Sequence, residues 1–135
     1  MSYQAIFYRD PDGIQPVKVF RDSRDAACRD GIDWMIGLLN ELSDANPELP
    51  FPYSSALKGK DYRAFRELRA DCGKMHYRII FRRHHEFFIL LHMVSKTREI
   101  EEADKKIALT RWNDFIRRMS EEPHRPPRAM GRDAP

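Results

Sequence analysis

Cationic and imidazole side chains recur along residues 57–98, where the strand pattern is strongest. This segment holds eleven Lys or Arg against four Asp or Glu, a net charge of +7, while the whole chain carries only +3. Cations concentrated on one sheet suit a polyanionic partner, and the pattern favours RNA. On such a surface, cations could stabilise a phosphate and titratable groups could move protons.

Three residues are the predicted catalytic groups. Arg78 lies in the middle strand, and its planar guanidinium group suits two phosphate oxygens at once. His92 is the best titratable candidate, because the ordinary pKa of histidine lies near neutrality. Lys96 follows the last predicted strand and suits a phosphate contact. Five further basic or imidazole side chains of the same segment are predicted to bind RNA: Lys58, Lys60, Arg69, His76 and Arg98.

Each of these residues also has a structural interpretation. Arg78 would then pair with Glu67 on the neighbouring strand, and Arg69 would form a structural ion pair. His92 shares a predicted strand face with Leu90, which also fits a buried, hydrogen-bonded histidine. The remaining cations would be ordinary solvated charges, since exposed ion pairs and lone surface charges add little stability. The sequence leaves both interpretations open.

The N-terminal elements follow from apolar periodicity. An apolar run over 5–9 predicts a first strand, which ends in turn residues. A brief helical turn is expected after Pro16, since proline is tolerated at the first helical position. Ser23 is then expected to cap a longer helix that reaches about Asp44, with apolar residues at three- and four-residue spacing.

The central and C-terminal elements are predicted in the same way. Strands are expected over 64–70, 75–83 and 87–94, and short links between them indicate antiparallel neighbours. The third of these strands is apolar on both faces, so we expect it to lie centrally under helices. Thr97 is expected to cap a last helix over 98–118, whose first turn is acidic.

Length and composition set further limits. One domain is predicted over residues 1–119, followed by a disordered, proline-rich tail over 120–135. No apolar run is long enough to span a bilayer and the N-terminus lacks the pattern of a signal peptide, which favours the cytoplasm and no membrane partner. Cys28 and Cys72 lack metal-ligand spacing, so a reduced pair is expected. We expect no metal and no cofactor.

Short motifs follow one another in an order that resembles a known family. In chain order they are Tyr8-Arg9-Asp10, Leu57-Lys58-Gly59, Glu67-Leu68-Arg69, Tyr77-Arg78-Ile79-Ile80-Phe81, Leu91-His92-Met93-Val94-Ser95-Lys96-Thr97 and Glu102-Ala103. Each motif alone is weakly specific, whereas the ordered set is more specific. With this set the chain resembles the HigB-type, phage-derived branch of the RelE/ParE toxin superfamily.

The resemblance implies an α+β, RelE-like fold, in which an antiparallel sheet of about four strands packs on N-terminal helices and a C-terminal helix follows. It also implies the toxin of a type II toxin–antitoxin pair, a metal-independent endoribonuclease that cuts mRNA on the ribosome. The implied partners are mRNA, ribosomal RNA and a cognate helix-turn-helix antitoxin. Arg78 corresponds to the strand arginine that contributes to the RNase surface of RelE-like relatives.

Two other functions stay open. ParE-type relatives with the same fold poison DNA gyrase by binding it, without catalysis. A degenerate phage or prophage protein would only bind a partner. Val94 stands where the family commonly has an aromatic residue, and Thr97 stands where a second lysine is common. These two departures keep the alternatives open.

Overall fold

The computed structural model describes residues 2–96 and 99–134, which form one mixed sheet with helices on both faces. Two short 3-10 helices, Lys60–Tyr62 and Pro127–Ala129, lie in the connections. The main elements, in chain order, are β1 (Gln4–Tyr8), α1 (Pro16–Asp22), α2 (Ala26–Leu39), β2 (Ser54–Ala56), β3 (Arg66–Cys72), β4 (Met75–His84), β5 (Phe87–Ser95), α3 (Glu102–Glu121) and β6 (Gly131–Asp133).

The strand order across the sheet is β2-β3-β4-β5-β1-β6. The three central strands β3, β4 and β5 are antiparallel neighbours, as the short links predict. The predicted sheet of about four antiparallel strands is nevertheless wrong in two respects. Among the described residues the sheet has six strands, and β1 pairs with β5 in parallel. The connection from β1 to β5 is long and passes through α1, α2 and strands β2 to β4, so it permits a parallel pairing that no short link could make.

Two cores cover the two faces of the sheet. The core beneath α1 and α2 includes Phe7, Leu68 and Ile79. The core beneath α3 includes Ile80 and Trp112, together with residues of β1 and β5. Because both faces of β5 are covered, the strand is apolar on both sides, and the prediction that it lies centrally is confirmed.

Both long helices differ in extent from the sequence prediction: α2 is shorter, and α3 is shifted toward the C-terminus. Asp25, and not Ser23, caps α2: its carboxylate accepts a hydrogen bond from the Cys28 N–H at 2.9 Å. Ser23 instead ends α1. The N-cap position of α3 is Glu101, so the helix starts later than expected. The predicted cap, Thr97, lies outside the described residues.

Cys28 and Cys72 form a disulfide, so the expectation of a reduced pair is wrong. Cys28 lies in the first turn of α2, and Cys72 is the last residue of β3. The packing of α2 on β3 brings their Cα atoms to 5.5 Å, a separation that a disulfide spans. The residues are 44 positions apart, and no local pattern marks this proximity.

The segment after α3 is ordered where the sequence predicts a disordered tail. Strand β6 pairs with β1 from Tyr8 to Ile6, and Met130 just before it is buried against the α3 core. Gly131 runs against the Phe7 carbonyl, where a Cβ atom would clash. The free edge of β1 and one apolar side chain therefore outweigh the polar composition of the segment.

Within the described residues, no helix has the length and apolar character needed to cross a membrane.

Candidate functional site

The sheet face turned toward α3 carries most of the predicted site residues at its β3–β4–β5 end. Leu68, Ile79 and Met93 pack into the opposite core, so their strand neighbours point to the α3 side. We call this group the polar sheet face; it comprises Glu67, Arg69, Asp71, His76, Arg78, His92 and Lys96. Its members come from three adjacent strands and the residue after β5.

A β-bulge corrects the predicted orientation of His92. Ile80 pairs with His92 while Phe81 pairs with Leu90, so Leu91 is an extra residue in β5. The bulge turns His92 away from the face of Leu90, with which the sequence predicts it to share a side. Bulges commonly re-aim a side chain in this manner. His92 therefore faces α3.

Arg78 is held by two carboxylates. Its Nη1 donates to Asp71 Oδ1 at 2.9 Å, and its Nε lies 3.9 Å from Glu67 Oε1. The same nitrogen Nη1 donates to the Tyr77 carbonyl at 2.8 Å. The Glu67 pairing that the structural interpretation predicts is thus present, but the contact to Asp71 is closer. Only 14% of the Arg78 side chain is exposed.

Arg69 lies directly opposite Arg78 in the β3–β4 register. Two like charges in this position repel each other. Glu67 offsets the repulsion, because its Oε1 lies 3.9 Å from the Nε of each arginine. The buried Nε of Arg69 makes no hydrogen bond with the described residues. Arg69 is therefore less fully engaged than Arg78.

His76 and Asp71 form an imidazole–carboxylate pair at the end of the β3–β4 hairpin. The His76 Nδ1 lies 3.1 Å from the Asp71 oxygen that Arg78 also contacts. Burial alone would raise the pKa of Asp71, but the hydrogen bonds from Arg78 and His76 outweigh it, so the pKa of Asp71 is lowered. The His76 side chain is 43% exposed. This imidazole is therefore open to a ligand.

His92 is enclosed between two side chains of α3. Its Nε2 lies 2.9 Å from Asp104 Oδ1, and Arg111 Nη1 donates to its Nδ1 at 3.0 Å. A neutral ring that carries its proton on Nε2 satisfies both contacts. Burial lowers the pKa of His92, and the nearby Asp104 only partly opposes this. Both nitrogens thus already have partners, as in the buried structural interpretation.

The predicted lysine contacts are ion-paired or flank a turn. Lys96 Nζ lies 3.2 Å from Glu101 and 3.3 Å from Asp104, and the hydrogen bond to Glu101 raises its pKa. Lys58 pairs with Glu99. Lys60 is exposed at the start of a 3-10 helix. Between the two lysines, Gly59 has a φ of +116°, a backbone conformation that favours glycine over other residues. Arg98 lies outside the described residues.

A cavity of about 150 Å³ lies between the β2–β3 edge and the start of α3. Its lining includes Arg69, Lys58, Lys105 and two glutamates. The Lys105 Nζ donates to the Lys58 carbonyl at 2.8 Å, which joins α3 to the loop before β3. Cations from three separate segments therefore meet at one opening beside the polar sheet face.

The sequence analysis missed three residues that contact the predicted site residues: Asp71, Asp104 and Arg111. Asp71 is one turn residue among many in the sequence, and Asp104 and Arg111 lie on a helix with no local link to His92. The spacing of Asp104 and Arg111, at helix positions seven apart, places both on one face and was the only available signal.

One group of possible metal ligands occurs among the described residues: Asp25, Cys28 and Cys72. The two sulfur atoms are bonded to each other, so neither is available as a thiolate ligand. This group lies on the α2 side of the sheet, away from the polar sheet face.

Comparison with known protein families assigns the chain to one family. A family model described as "Phage derived protein Gp49-like (DUF891)" matches residues 30–113, which span most of α2, strands β2 to β5 and more than half of α3. That family is part of the RelE/ParE-like toxin superfamily. The chain belongs to the Gp49-like family of phage-derived proteins. No curated protein sequence matches the chain.

Proposed function

We propose that the chain is the HigB-type toxin of a type II toxin–antitoxin pair and that it cleaves mRNA on the ribosome. Membership of the Gp49-like family supports a toxin. The observation that carries the proposal of RNA cleavage is the polar sheet face, where Arg78 and His76 share the carboxylate of Asp71. An arginine and an exposed imidazole that share one carboxylate supply the positive charge and the proton-transfer group that RNA cleavage needs.

In the proposed reaction, the ribose 2′-oxygen attacks the adjacent phosphorus as the bond from phosphorus to the 5′-oxygen breaks. The products are a 2′,3′-cyclic phosphate and a free 5′-hydroxyl. A base takes the proton of the 2′-hydroxyl and an acid donates a proton to the departing 5′-oxygen. Arg78 stabilises the negative charge on the phosphate, and Lys96 contributes a second cation.

His76 is the stronger candidate for proton transfer. It is exposed, and Asp71 orients its Nδ1, which leaves Nε2 toward solvent or RNA. His92 would have to exchange Asp104 or Arg111 for the substrate before it could act. The proposal therefore assigns proton transfer to His76 and a positioning role to His92, which joins β5 to α3.

The experiment maps mRNA 5′ ends in a purified translation system, with and without ribosomes. We expect the native protein to cut mRNA only when ribosomes are present. Arg78→Ala should cut roughly 100- to 1000-fold more slowly than the native protein, and His76→Gln should cut roughly 100-fold or more slowly. Arg117→Gln is the matched control, since Arg117 is also an ion-paired arginine but lies on the exposed side of α3. That control should cut like the native protein.

Cleavage that does not need ribosomes would contradict the decoding-site mechanism. Intact mRNA with native protein would contradict the nuclease proposal as a whole and favour a gyrase-binding or binding-only protein. A loss of cleavage in His92→Gln but not in His76→Gln would exchange the roles of the two histidines. The proposed protein partner is a cognate helix-turn-helix antitoxin, which co-purification with the neighbouring gene product would test.

A further inference from the structure

Two aromatic side chains stand exposed beside the polar sheet face. Phe51 is 70% exposed and Tyr53 is 46% exposed, and both lie in the turn that leads into β2. Large apolar rings that are left in solvent gain none of the free energy that burial provides. Two such rings within three residues, next to a cationic surface, are typical of a binding site.

The turn that carries these rings is fixed to the sheet. Ser54 is fully buried and its hydroxyl donates to the Leu49 carbonyl. Arg66 donates to the Ser54 hydroxyl at 2.9 Å and to the Leu49 carbonyl at 3.3 Å. The Tyr53 N–H donates to the Pro50 carbonyl at 3.0 Å. A turn held at so many points is preorganised, so a ligand would lose little free energy by ordering it.

Arg69 connects the aromatic turn to the polar sheet face. Its guanidinium carbon lies 5.1 Å from the centre of the Phe51 ring, and its backbone N–H donates to the Tyr53 carbonyl at 3.0 Å. Its Nε lacks a hydrogen-bond partner among the described residues, and its side chain lines the cavity of about 150 Å³. The Nε itself is buried, but 34% of the side chain is exposed, so Arg69 presents a partly exposed cation next to an exposed ring.

We propose that Phe51 and Tyr53 form a stacking platform for unpaired bases of single-stranded RNA, with the adjoining phosphate against Arg69. This inference rests on the proposed function and deepens it, since it names where the RNA chain is held beside the reacting phosphate. Exposed rings next to cations recur in proteins that bind single strands, because every base offers a face for stacking and every nucleotide carries a phosphate. In a duplex the base faces are covered, so the platform selects unpaired RNA.

The test measures binding of a fluorescently labelled single-stranded RNA of about eight nucleotides, a length that one binding surface of this kind covers. Phe51→Leu keeps an apolar side chain but removes the ring, and it should weaken binding roughly 5- to 100-fold. Phe51→Trp should bind at least as tightly as the native protein. Trp34→Leu is the matched control, because Trp34 is 63% exposed but lies on α2, on the other side of the sheet. It should bind like the native protein.

Salt dependence separates stacking from charge. Arg69→Gln should reduce the slope of log K against log salt by roughly 0.7, the value for one phosphate contact on a single strand, while Phe51→Leu should leave the slope unchanged.

Unlabelled duplex RNA of the same sequence should compete poorly. Circular dichroism should show native folding for Phe51→Leu, since an exposed side chain contributes little to the core.

The inference is overturned if native protein fails to bind the single strand, if Phe51→Leu binds as tightly as native protein, or if duplex competes equally. Equal weakening by Trp34→Leu would show that exposed aromatic residues bind RNA without a specific site, and would overturn it as well. The cleavage assay judges the proposed function separately. If the protein cleaves mRNA and Phe51→Leu does not weaken RNA binding, the stacking platform alone is refuted. If RNA binding depends on Phe51 and no mRNA is cleaved, the nuclease proposal alone is refuted.

Discussion

His92 shows how a single residue changes the meaning of a motif. In the sequence it is the predicted titratable group, because the ordinary pKa of histidine lies near neutrality. In the structure the extra residue Leu91 turns it toward α3, where Asp104 and Arg111 occupy both ring nitrogens. His76, two residues before Arg78 on the same strand face, is the imidazole that stays open to a ligand.

The buried state of His92 makes stability depend on pH. Its folded pKa is lower than its ordinary value of 6.5, so below about pH 6.5 the unfolded chain binds a proton that the folded protein resists. His92 therefore weakens the fold as the pH falls through this window. Above the window this effect is absent.

We expect His92→Gln to be less stable than the native protein at pH of about 7.5, because Arg111 and Asp104 lose a partner. The difference in unfolding free energy should shrink toward pH of about 5.5, since only the native protein is destabilised by protonation of residue 92. His84, whose pKa burial also lowers, is present in both proteins and cancels in the comparison. Urea unfolding at both pH values measures the difference, and a constant difference would contradict the expectation.

At the level of elements, the central hairpins were predictable and the sheet edges were not. β3, β4 and β5 carry alternating or continuous apolar patterns and are joined by tight turns, so their type and pairing follow from local sequence. β1 and β6 are paired only through the tertiary fold. The C-terminal segment is rich in proline and charge, yet Met130 enters the α3 core and β6 covers the edge of β1.

The contribution of the C-terminal segment can be measured with one pair of variants. Met130→Ala should lower the unfolding free energy by about 2–5 kcal/mol, the range for a buried Met replaced by Ala. Met75→Ala, which removes the same side chain from an exposed position, should change it by about 0.5 kcal/mol or less. Truncation after Glu122 should destabilise the protein at least as much as Met130→Ala. Native stability of the truncated chain would instead favour the dispensable tail that the sequence predicts.

At the level of the whole molecule, acids from elsewhere in the chain offset part of the charge of the basic segment. Lys58 and Lys96 pair with carboxylates that precede or begin α3, and Arg66 pairs with Glu48 before β2. The net charge of +7 over residues 57–98 therefore overstates the positive surface that a ligand meets. Within the polar sheet face, Arg69 and His76 are the most exposed basic side chains, and the two proposals place RNA there.

The Cys28–Cys72 disulfide also acts on the whole chain, because it restricts the unfolded state across 44 positions. Reduction should lower the unfolding free energy by about 2–4 kcal/mol, measured by urea unfolding with and without reductant. The double variant Cys28→Ala/Cys72→Ala is the control and should not respond to reductant. Identical native unfolding curves in both conditions would show that the bond contributes no stability.

The sequence by itself determined the α+β class, the two-sided burial of β5, the three central strands and the RelE/ParE superfamily. The first three depend on apolar periodicity and short turns, which act within a few residues of the chain, and the superfamily follows from the ordered motifs. Only the tertiary structure decided the contact of Arg78 with Asp71, the partners of His92, the disulfide, the parallel pairing of β1 and the packing of the C-terminal segment. Each of these joins residues that are distant in the chain, or depends on one extra residue in a strand. Local propensity carries no information about such contacts, because long-range packing selects them.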